Sequence, residues 1–114
     1  MDIVRKIYKM KNEFNPNETD SEKREIGEYM TSQNLLDNEL IGINKLLSNS
    51  LSYMNKRISI DEFQDIIMHT NDMKVLKIVY YLFEKYFSKT DKVELYQSIV
   101  AIIGNEIIRN GENI

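Results

Sequence analysis

The sequence predicts an all-α fold, a compact bundle of five or six helices whose hydrophobic C-terminal helical hairpin forms the core. Three observations carry this. Pro16 is the sole proline among 114 residues. Beyond it, apolar residues recur at steps of three and four, which places them along one face of a helix. Nearly every such stretch is preceded by a side chain able to cap a helix N-terminus. The length suits a single helical domain over 1–114, with room for one modest core.

The first segment, about Asp2 to Lys11, spaces Ile3, Ile7, Met10 and Phe14 by four, three and four, with its basic residues off that stripe. Asn12 to Asn17 forms the turn, because a residue before proline is pushed out of helical dihedrals. Thr19 and Glu22 then give capping-box spacing for a second helix over about Asp20 to Ser32. Its apolar content is thin, Ile26, Tyr29 and Met30, so it belongs on the bundle surface. Leu36, Leu40, Ile43, Leu47, Leu51, Met54 and Ile58 step by 4, 3, 4, 4, 3 and 4, which predicts a long helix over about Leu35 to Lys56, with a break near Ser48 to Ser50 as the alternative.

Ser59 and Glu62 form a second capping box, and Ile58 and Phe63 occupy the positions of a hydrophobic staple around it. The helix they start runs from Ile60 to about His69, where Thr70-Asn71-Asp72 offers a stop and a new cap. Two further helices follow, about Asp72 to Phe87 and Asp91 to Arg109. From Val75 to Ile108, 20 of 34 residues are apolar or aromatic, against 10 of the first 34, so this hairpin is the expected core and the N-terminal third packs on it. Ile78 to Phe83 has strand-like composition. The helical spacing of Val75, Val79, Leu82 and Tyr86 overrides it.

Ala101 is the only alanine beside sixteen Ile, twelve Asn and eleven Lys. Helix must therefore come from packing and caps rather than intrinsic propensity, and the bias suggests an AT-rich, low-GC genome of a bacterium, its phage or a mobile element. The absence of cysteine excludes disulfides and thiolate metal sites and fits a reducing cytoplasm, in a bacterial cell or an infected host cell. Arg5, Lys6, Lys9 and Lys11 are interspersed with single apolar residues, which argues against a secretory signal. The longest apolar run has six residues, Ile78 to Phe83, far short of the ~20 that a spanning helix needs. A net charge of −3 argues against a nucleic-acid or anionic-membrane binder acting by bulk charge, and leaves open a local basic patch.

Few residues offer chemistry. Counting back from Glu62 as the last ligand of a calcium loop places Leu51, Tyr53, Asn55 and Lys56 where oxygen ligands and a turn glycine are required. His69 has only Asp65 at ligand spacing on its helix, too little for a metal site. Gly27, Gly42, Gly104 and Gly111 are isolated and follow no strand, so no phosphate loop is formed. The expectation is no enzyme, no metal and no cofactor. Glu18, Glu22, Glu25 and Glu28 instead form a candidate acidic face for docking a basic partner. On the helix from Asp72 to Phe87 the apolar arc spans about 200°. Either that helix is central and covered, or Tyr80, Tyr81 and Phe87 stand exposed as a protein interface, which could also serve a homodimer.

Thr19 to Met30, TDSEKREIGEYM, following an N-terminal helix, resembles the opening helices of RpiR-type sugar-responsive regulators. That resemblance spans at most residues 2 to 67 and implies a helix-turn-helix DNA-binding regulator. The stretch from Leu40 to Phe63 lacks that family's basic Arg-Phe-x-Lys-Lys-Leu-Gly run, and leaves Lys56 and Arg57 as the nucleic-acid contacts. Small helical bacteriocin-immunity proteins share this length and class, a second alternative by analogy. The reading the residues favour is a non-enzymatic helical protein that regulates, inhibits or adapts a protein partner by contact.

Overall fold

A computed structural model describes residues 3–14 and 20–112. They form six helices, α1 (Ile3–Phe14), α2 (Asp20–Ser32), α3 (Asp37–Met54), α4 (Ile60–Met68), α5 (Met73–Tyr86) and α6 (Val93–Arg109), and no strand among the described residues. The Pro16 turn, the Thr19 cap and Glu18 lie outside them.

Local chemistry sets most helix ends. Ser59 Oγ accepts from the Glu62 amide at 3.1 Å while Glu62 Oε1 accepts from the Ser59 amide at 3.3 Å, the reciprocal box that starts α4. Asp72 Oδ1 accepts from the amides of Lys74 and Val75 at the start of α5. Leu36 has no side-chain acceptor, yet its own amide donates to Glu39 Oε1 at 2.8 Å and fixes the entry to α3. The long α3 is unbroken at Ser48–Ser50, and within it the buried Ser50 hydroxyl donates to the Leu46 carbonyl at 2.8 Å, which satisfies that polar group inside the helix.

Four boundaries differ from the spacing by two residues or more, the first being the start of α3, at Asp37 rather than Leu35. α1 continues one turn beyond Lys11 to Phe14. α3 ends at Met54 rather than Lys56, since Lys56 adopts φ +59 and the Arg57 amide donates to the Ser52 carbonyl at 2.8 Å. That is the left-handed closure usually given to glycine. α6 starts two residues late, at Val93, because Thr90 Oγ1 accepts from the Lys92 amide at 3.1 Å and holds a turn there.

The α5–α6 hairpin is the most extensive helix pairing and supplies about half of the buried apolar residues. α3 is the hub, touching α1, α4, α5 and α6. Gly42 of α3 lets it approach α5 closely, for a Cβ there would lie 3.2 Å from Val75 Cγ2. α1 and α2 form a second hairpin that meets the body mainly where α1 lies on α3. The Lys11 side chain is fully enclosed in that hairpin, its Nζ 2.9 Å from Glu22 Oε1. None of the described helices is long and apolar enough to cross a membrane.

Candidate functional site

The outer face of α5 presents Lys77, Tyr80, Tyr81, Glu84 and Lys85, positions i, i+3, i+4, i+7 and i+8 of one helical strip. Tyr29 of α2 walls it on one side and Ile107 of α6 on the other, enclosing a groove of about 540 Å³. The floor exists because the opposite face of α5 is consumed by the core, where Val75, Leu76, Ile78, Val79, Leu82 and Phe83 are buried. Tyr29 and Tyr81 stack at 4.2 Å between centroids with planes 22° apart. Tyr81 keeps 36% of its surface exposed.

Charge frames this aromatic strip. Lys85 Nζ lies 5.7 Å from the Tyr81 ring centroid and 3.8 Å from Glu25 Oε1, linking α5 to α2. Lys77 Nζ pairs with Glu112 Oε1 at 2.9 Å just beyond α6. Burial, reinforced by Tyr81, pushes the Tyr29 phenol up to about 12. Burial and then Glu84 raise Tyr80 as well. Both are therefore neutral at physiological pH, supplying O–H donors and aromatic faces rather than acid–base chemistry. Lys85 is held charged by its hydrogen bond to Tyr81.

The residues singled out by sequence reach different fates. Tyr80 and Tyr81 come together in the groove. Phe87 does not: it is fully buried and stacks on Phe83 at 4.4 Å, so its place among exposed interface aromatics is corrected. As the C-cap of α5 it keeps helical dihedrals, so it lies on the core-facing stripe four residues after the buried Phe83. The acidic face is also not an unbroken negative surface. Glu22 turns toward the buried Lys11, Glu25 pairs with Lys85, and Glu28 stands 4.0 Å from Arg24. Lys56 and Arg57 are exposed on the α3–α4 loop, but Lys56 shares its hollow with Asp91 and Glu94 as well as Lys92. His69 donates from Nδ1 to the Asp65 carbonyl at 2.7 Å and closes α4. Among the described residues no three His, Asp or Glu side chains converge as metal ligands.

Sequence reasoning missed Tyr29 and Ile107 as the groove walls. Tyr29 sits in the sparse apolar stripe of α2, and Ile107 reads as one more core position of α6. Helix packing, rather than any local pattern, makes them neighbours of Tyr81 and Tyr80. The fold and groove together define a six-helix protein with an aromatic cleft on its central hairpin. Set against known proteins, the chain gives no significant match to any family model, curated protein sequence or solved structure.

Proposed function

We propose that this chain is a non-enzymatic binding protein that acts by contact with a protein partner, seating an amphipathic helix of that partner in the groove between α2 and α6. The observation that carries this reading is the tyrosine strip. Three tyrosines line one open cleft, backed by the buried Ile107 and with lysines at both ends, and helices dock into such grooves through anchors at i, i+3, i+4 and i+7. Tyrosine suits the task because it brings large contact area, a polar tip and little rotamer freedom. A partner segment held there is occluded from its other contacts, which is how a small regulator or inhibitor works without chemistry.

The test is affinity capture of the tagged chain from its own host, with mass spectrometry and sizing of the eluate. The paired variant Tyr80→Ser/Tyr81→Ser is expected to lose a stoichiometric partner while keeping its helical circular dichroism. An identical set of captured proteins with and without the substitutions would overturn the groove as the contact site. A dimer of the chain alone that dissociates on the same substitutions would make the second copy the partner.

A further inference from the structure

The charges around the tyrosine cleft do not balance. Both lysines that line it are engaged: Lys77 Nζ lies 2.9 Å from Glu112 Oε1, and Lys85 Nζ lies 3.8 Å from Glu25 Oε1 and 5.7 Å from the Tyr81 ring centroid. Glu84 lines the same cleft and is exposed. All fifteen lysines and arginines lie within the described residues, and none of them pairs with Glu84. Setting the two lysines against Glu25, Glu84 and Glu112 leaves one negative charge, and it resides on Glu84.

Glu84 stands one turn beyond Tyr80 on α5 and accepts a hydrogen bond from its hydroxyl. A carboxylate has room for further donors beside that one. Burial, and then this carboxylate, raise the Tyr96 phenol of α6, which puts a second tyrosine beside it. The free charge therefore sits among phenol rings, whose faces also attract cations.

We infer that the helix docked in the cleft is basic, with an arginine whose guanidinium sits on Glu84 and whose stem lies against Tyr80. This rests on the reading of the cleft as a helix-docking groove and adds the chemistry of its occupant. Arginine suits the seat better than lysine, because a planar guanidinium can stack on a phenol ring while it donates to a carboxylate. An acidic segment meets Glu84 as a like charge and must displace Glu25 or Glu112 to reach a lysine. The chain's net charge of −3 also favours the approach of a basic segment.

Selection of phage-displayed peptides of about 16 residues, roughly four helical turns, against the tagged chain tests this, with the selected peptides then measured by fluorescence anisotropy. Peptides that lose binding to Tyr80→Ser/Tyr81→Ser are those the cleft holds, and they are expected to share an arginine at one recurrent position. Replacing that arginine by glutamine should weaken binding about fivefold on the parent and less than about twofold on Glu84→Gln, the difference shrinking as KCl rises from about 50 to about 500 mM. Asp61→Asn removes the same charge from the exposed start of α4 and should bind within about twofold of the parent. Equal losses for Glu84→Gln and Asp61→Asn would overturn the arginine seat, as would cleft-dependent peptides without arginine, and either result leaves helix docking standing. Failure to select any peptide that depends on the two tyrosines would overturn the docking reading and this inference with it.

Discussion

Lys11 shows what a single residue can demand of its surroundings. Its side chain has no exposed surface, so removing the Glu22 carboxylate takes away one of the contacts that compensate a buried cation, whereas Glu22 keeps about a fifth of its own surface in water. Glu22→Ala is therefore expected to cost more than Lys11→Met, about 1.5–3 kcal/mol against no more than about 1 kcal/mol, as read from urea midpoints. Lys56 carries a different kind of strain, in its backbone, at φ +59. A non-glycine residue pays about 1 kcal/mol or more there, and the side chain is exposed. Lys56→Gly should raise stability by about 0.5–1 kcal/mol in the same assay. Among the described residues, two carboxylates have lowered values that tie stability to acid. The Leu36 amide, with Lys74 adding to it, holds Glu39 below the ordinary carboxylate range, and the Arg109 guanidinium, then Asn110, does the same for Glu106. In each case the unfolded chain takes up its proton first as pH falls, so their stabilisation is complete above about pH 5 and drains away through the lowered folded values. Glu39→Gln/Glu106→Gln should be less stable at pH 7 yet lose less between pH 5 and pH 3.

At the scale of elements, capping chemistry was the legible signal. The α4 box was readable from Ser59 and Glu62, and the start of α5 from Asp72, because these bonds are local and their donors sit at fixed offsets in the chain. Helix C-termini were less legible. The end of α3 depends on Lys56 entering a conformation that sequence assigns to glycine or asparagine, and the start of α6 depends on a threonine turn that resembles ordinary loop composition. The same limit governed the candidate site. The strip from Lys77 to Lys85 is periodic and could be read, as could the core stripe that Phe87 shares with Phe83, whereas which aromatics of so wide an apolar arc stay exposed is decided by the packing of neighbouring helices. This separates two variants that sequence alone would treat alike. Phe87→Ser should destabilise the fold by about 3–5 kcal/mol, the range for emptying a buried phenylalanine site. Tyr81→Ser should cost less than about 1.5 kcal/mol, chiefly its stacking on Tyr29. Thermal melts of the two variants check the difference.

Across the whole molecule, the helical class and the richness of the C-terminal hairpin were readable because both rest on composition and period. The role of α3 as hub was not, since its stripe resembles any amphipathic helix until four neighbours are placed around it. The α1–α2 hairpin meets the body mainly where α1 lies on α3, and α2 reaches it through Tyr29 on Tyr81 and Glu25 near Lys85. Native-state hydrogen exchange should therefore show amides of α2 opening at lower free energy than those of α3, α5 and α6. Uniform protection across all four helices would contradict that ordering. Because Tyr29 rides on the looser hairpin and Tyr80 on the firmer body, the cleft straddles two cooperative units. Whatever fills it ties them into one, so its arrival should be visible as slowed exchange along α1, a helix that contributes no side chain to the cleft.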